Sequence, residues 1–116
     1  MSKIPRFFGI TMREWRIKAG LTQRDVSTGM NYTTAQFVSN WERGVSTPPT
    51  KDFPRLSEVL RIRESVLIHL YFDMKMEMAK REHSRLWLAM KERRRSDRGR
   101  KRASRKIRNQ SRRAAA

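Results

Sequence analysis

Gln36, Ser39, Asn40 and Arg43 stand at i, i+3, i+4 and i+7 of the stretch TTAQFVSNWERG. On a helix turning about 100° per residue, that spacing puts all four on one face. The chemistry of the set suits the edges of base pairs. Gln and Asn amides can pair with adenine N6 and N7, an Arg guanidinium can fork onto guanine O6 and N7, and a Ser hydroxyl can donate or accept. Ala35, just ahead, can meet a thymine methyl. Phe37, Val38 and Trp41 fall with Thr34 on the opposite side, the pattern of a helix held against a core.

Several elements must position this face. Thr22 followed by Asp25 has the spacing of a capping box and opens a short helix, TQRDVSTGM, with Leu21, Val26 and Met30 turned inward. Asn31 tolerates the geometry of a tight turn. Thr33 with Gln36 fits a second capping box, so the next helix is expected over 34–43, closed by Gly44. Upstream, TMREWRIKAGL reads as a helix with Thr11 and Glu14 as its box, Met12, Trp15 and Ala19 as its stripe, and Gly20 as its stop. Residues 1–9 form a lead that Pro5 and Gly9 keep out of a helix, with Phe7 and Phe8 covering the core edge.

Downstream, Pro48 and Pro49 fix a loop. DFPRLSEVLRI is a fourth helix, with Pro54 in its first turn, where a missing N–H costs little, and Phe53, Leu56, Val59 and Leu60 inside. A long fifth helix is expected from about Glu64, striped by Leu67, Leu70, Tyr71, Met74 and Met78 and again by Leu86, Trp87 and Met90. Trp15, Phe37, Trp41 and Phe53 are read as core. No segment reads as a strand.

Lys and Arg total 28 against 11 Asp and Glu, a net charge of +17. Residues 91–116 hold 13 of those bases and two acids. Such a chain suits a polyanion, nucleic acid before an anionic membrane. The tail from Ser96 has too little apolar surface to offset its ordering entropy and is expected to be disordered. The expected organisation is therefore a lead over 1–9, a compact domain over 10–72, a helical extension over 73–95 and a basic tail over 96–116.

Other chemistries find little support. The absence of cysteine excludes disulfides, cysteine-based zinc sites and thiol nucleophiles. His69 and His83 are too few for an ordinary zinc site. No Gly-rich phosphate loop, placed nucleophile or carboxylate pair points to an enzyme, and no cofactor is expected. No apolar run approaches the roughly 18 residues a spanning helix needs, and the N-terminus lacks a signal-peptide core, so a cytoplasmic, nucleoid-associated protein is expected.

The segments GLTQRDVS, TTAQFVSNWERG and DFPRLSEVL, with the prolines between them, resemble the Cro/CI-type helix-turn-helix domain of the XRE family over about residues 10–70. The marks are Arg16, the LTQ of Leu21–Gln23 and the SNWERG of Ser39–Gly44. The resemblance implies an all-α fold: a five-helix, lambda-repressor-like domain, here with an extended C-terminal helix. It implies operator binding, usually as a dimer. It brings the residue matching Gln23 onto the DNA, those matching Thr34, Ala35, Gln36, Ser39 and Asn40 to the bases or the flanking phosphates, and Lys51 to a phosphate. Taken with the spacing above, Ala35, Gln36, Ser39, Asn40 and Arg43 are expected at bases and Gln23, Arg24, Thr33, Thr34, Arg16 and Lys51 at phosphates. It makes Arg16 and Glu42 an ion pair beneath the recognition helix. The turn MNYTT is one residue longer than the family's usual turn, and Ser27 stands where Ala is common.

The expected function is a sequence-specific regulator of transcription on double-stranded DNA, acting as a repressor and homodimer, with the tail adding non-specific phosphate contacts. Dimerisation is expected through Leu70, Tyr71, Met74, Met78, Leu86, Trp87 and Met90. An alternative is an antitoxin-like or adaptor protein that grips a protein partner through 64–95 and autoregulates by DNA binding. A non-specific nucleic-acid binder is a third reading.

Overall fold

A computed structural model describes residues 3–115. Every regular element among them is helical: α1 (Arg6–Lys18), α2 (Gln23–Gly29), α3 (Gln36–Glu42), α4 (Phe53–Leu60), preceded by the single 3₁₀ turn Thr50–Asp52, and α5 (Glu64–Ala115). Two units are distinguished by their internal contacts, one running to Ala79 and one from Lys80 onward.

The first unit packs around Phe8, Met12, Val26, Met30, Val38, Trp41, Phe53, Leu56, Leu60, Leu67, Leu70 and Met74, all buried. These are the inward positions of five amphipathic helices, and their removal from water is the main force holding the unit together. Each of the first four helices ends alike. The residue after the last turn takes a left-handed conformation: Gly20 and Gly44 at φ 74° and 75°, Asn31 at 60° and Arg61 at 56°. In each case its own N–H and that of the following residue donate back to carbonyls of the closing turns, as Asn31 does to Thr28 and Tyr32 to Ser27, at 3.0 and 2.8 Å. This motif satisfies carbonyls that a helix end leaves orphaned.

Four expectations are corrected here. α1 begins at Arg6, not Thr11, and Pro5 is its N-cap rather than a barrier. Gly9 lies inside it because α1 crosses α3 there: a Cβ on Gly9 would sit 2.4 Å from the Glu42 carbonyl oxygen. Phe8, expected at the core edge, is wholly buried. α3 starts two residues later than expected, and the Thr33–Gln36 box is replaced by Thr34, whose Oγ1 accepts from the Gln36 N–H at 3.2 Å. Phe37, expected in the core, is 50% exposed, because the seven-residue helix buries a stripe only as wide as Val38 and Trp41. Its ring instead leans on Tyr32, centroids 5.2 Å apart.

The second unit, residues 80–115 of α5, is helical where the sequence suggested a disordered tail from Ser96. Too little apolar surface excludes a core but not a helix. Arg, Lys, Gln and Ala are good helix formers, and no proline interrupts them. Every residue from 80 to 113 is exposed except half-buried Met90.

Candidate nucleic-acid interface

The interface is built from the α2–turn–α3 unit. α2 is opened by a complete capping box: the Asp25 N–H donates to Thr22 Oγ1 at 3.0 Å and the Thr22 N–H to Asp25 Oδ2 at 2.8 Å. The Thr22 backbone N–H, and then its hydroxyl, hold the Asp25 carboxyl below its ordinary pKa. The box fixes where α2 begins, and with it Gln23 and Arg24, whose backbone lies at the positive end of the helix dipole.

The turn is held by two side chains from outside it. The Arg55 guanidinium of α4 donates to the Gly29 carbonyl at 3.0 Å, and with the Asn31 amide oxygen facing it, donates to that oxygen at 3.0 and 3.1 Å. The Tyr32 ring packs edge-on to Trp41, and its hydroxyl donates to Asp52 Oδ2 at 2.9 Å. Burial, reinforced by the bond to Asp52 and that residue's charge, pushes the Tyr32 phenol up to about 12. Tyr32 thereby links the recognition turn to the 3₁₀ turn that carries Lys51.

Beneath α3, the Arg16 guanidinium forks onto Glu42 at 2.7 and 3.0 Å and reaches the Leu21 carbonyl at 2.8 Å. The two side chains are only 13% and 5% exposed. Gln23 Nε2 also donates to Glu42, at 3.3 Å. One carboxylate of α3 therefore anchors the end of α1 and the start of α2. Bidentate, charge-assisted bonds of this kind are geometrically specific.

On the outer face of α3 the four residues singled out by spacing lie together. Gln36 Nε2 donates to Asn40 Oδ1 at 2.8 Å, and Arg43 donates to the same oxygen at 2.7 Å. Gln36 and Arg43 are exposed, and Asn40 and Ser39 half-buried. Ala35 is half-buried at the N-cap, and Thr33, Thr34, Arg24 and Lys51 are exposed. Gln23 is half-buried and already bonded. Arg16 does not join them: its described bonds all point into the protein. Sequence reasoning did not single out Tyr32, Asp52 or Arg55. The signal available for Tyr32 was a large aromatic inside an otherwise polar turn.

Leu70 and Met74 are buried in the unit's own core, with Tyr71 and Met78 packed against it. The dimer surface read from that stripe therefore loses Leu70 and Met74, whose apolar area is consumed within one chain, while Tyr71 and Met78 are half-buried. Leu86 and Trp87 remain exposed. Among the described residues no group of His, Cys, Asp and Glu is disposed to hold a metal ion, and no helix is long and apolar enough to cross a membrane.

Two short helices joined by a tight turn, the second carrying an amide–guanidinium row on its outer face, define a helix-turn-helix unit. The family model described as Helix-turn-helix matches residues 12–67. Residues 12–67, just under half of the chain, are thus a helix-turn-helix domain of the XRE type, a DNA-binding module of transcriptional regulators. Among solved structures it is similar to the restriction-modification controller protein C.AhdI from Aeromonas hydrophila, at 26% identity and a TM-score of 0.48 over 53% of this chain and 92% of that one. It is also similar to two variants of the restriction-modification controller protein C.Esp1396I. Both are 19% identical with a TM-score of 0.48, over 59% and 60% of this chain and 89% and 91% of theirs. No curated protein sequence matches the chain significantly.

Proposed function

We propose that the chain reads a double-stranded operator with the outer face of α3 and represses transcription by occupying it as a homodimer. The observation that carries this reading is the hydrogen-bonded row Gln36–Asn40–Arg43. In the free protein Gln36 and Arg43 both donate to Asn40 Oδ1. In the groove the same donors and acceptors can be exchanged for base edges without leaving any of them unpaired. Ser39 and Ala35 flank the row.

Gln23, Arg24, Thr33, Thr34 and Lys51 are assigned to phosphates, where they set register rather than read sequence. Arg16 is assigned a positioning part, because Glu42 holds its guanidinium inward. For the homodimer, the support is an exposed apolar row on α5 within the first unit: Ile68, Phe72 and Met76, at i, i+4 and i+8 and 47%, 59% and 47% exposed. A two-fold dimer would carry two recognition helices to half-sites about 34 Å apart. Repression by occupancy needs only tight binding. The 13 bases of residues 91–116 serve that by adding about 0.9 to the salt slope for each phosphate they neutralise.

Gln36→Ala and Asn40→Ala are each expected to weaken binding to a selected site by about 1–3 kcal/mol and to relax specificity at one base position. Titration on selected and random duplexes checks this. Equal losses on both would remove the base-reading assignment.

A further inference from the structure

Beyond residue 90 the helix carries most of its positive charge on one side. At about 100° per residue, eleven of the thirteen Lys and Arg beyond residue 90 fall within an arc of about 160°. Arg93 and Arg100 are the exceptions, and both acids, Glu92 and Asp97, lie outside the arc. The arc does not end in charge. Traced toward the N-terminus, it takes in His83 and Trp87. Their rings are stacked with centroids 6.3 Å apart and planes 14° from parallel. Lys91 Nζ lies 5.4 Å from the centre of the Trp87 ring. Trp87 is 49% exposed, and a shallow hollow lined by His83, Ser84, Trp87 and Leu88 opens beside it.

We propose that this face is a second nucleic-acid site, one that takes a single strand: unpaired bases stack at Trp87 and His83 while the phosphate chain runs along the basic arc. A one-sided stripe suits a single phosphate chain laid along the helix. A helix seated deep in a groove meets phosphates on both flanks. The aromatic pair has no role on a duplex, whose base faces are already stacked. An indole with a cation beside it suits a flat base joined to a phosphate, the combination on which single-strand binding relies. The site shares no residue with the α3 face.

The test uses the full chain with an oligo(U), an oligo(dT) and a random-sequence duplex of matched length, followed by fluorescence anisotropy. Trp87→Ala is expected to weaken single-strand binding about ten-fold while leaving the duplex unchanged, with most of the loss restored by Trp87→Phe. A loss confined to oligo(U) or to oligo(dT) would identify the strand as RNA or DNA. Trp87 is exposed and outside the core, so folding does not confound the result. Equal loss on all three probes, or no loss on either single strand, would overturn the proposal. None of these probes contains a selected operator, so the outcome is independent of how α3 reads bases.

Discussion

Helix α3 has seven residues, while the helix from Lys80 to Ala115 is several times longer, yet only the short one is built into a packed unit. A free helix of fewer than about 12–15 residues is marginal in water. α3 is therefore held from outside, by burial of Val38 and Trp41, by the Gly9 crossing, and by the Glu42 anchor. The segment from Lys80 rests on intrinsic propensity and local pairs such as Glu82–Arg85, whose Nη2–Oε1 distance is 2.6 Å. The comparison teaches where order must be purchased by tertiary contacts: base reading needs fixed donors and acceptors, whereas phosphate attraction needs only charge.

Predictions that break this arrangement should act on the first unit. Glu42→Ala leaves the Arg16 guanidinium partly buried without its carboxylate and removes the joint among α1, α2 and α3. A loss of about 3 kcal/mol is expected in urea unfolding followed by tryptophan emission. An unchanged midpoint would mean that α3 is held without that anchor. Gly9→Ala forces a methyl against the Glu42 carbonyl, and the α1–α3 crossing must open. Its cost, net of the helix propensity that Ala adds, is expected at about 2 kcal/mol in the same assay.

Two smaller changes sharpen the picture. Ser27 is 2% exposed, and its hydroxyl has no hydrogen-bond partner. Ser27→Ala is expected to raise stability by about 1 kcal/mol and to leave DNA binding unchanged, as differential scanning calorimetry and a binding titration would report. Tyr32 gives a pH signature. Its folded pKa, about 12, lies above the ordinary value of 10.0, so the neutral phenol is favoured by the fold. That contribution is fully present below pH 10 and lost as the pH climbs toward 12. Tyr32→Phe is expected to flatten the alkaline fall in melting temperature. A fall as steep as in the parent would place the titration elsewhere.

Much of the interface was legible because it is local. The Thr22–Asp25 box, the stops at Gly20 and Gly44, the turn residue Asn31 and the first-turn Pro54 each declare themselves within a few positions. The row Gln36–Asn40–Arg43 follows from helical spacing alone. What escaped depends on contacts distant in sequence. Gly9 reads as a helix breaker until α3 lies against it. Leu70 and Met74 read as surplus stripe until the core receives them. Phe37 shares a wheel sector with Val38 and Trp41, but a short helix buries less of that sector than a long one. The tail's composition excluded packing, and helix formation does not require packing.

The central claim is that the outer face of α3 reads sequence. Selection of binding sites by the full chain from a random duplex library, at physiological salt and with the Asn40→Ala variant alongside, tests it most directly. The expected result is an enriched motif with two half-sites about one helical turn apart, which the variant shifts or loses at one base position in each half. A folded protein that binds the library without enriching any sequence would contradict it.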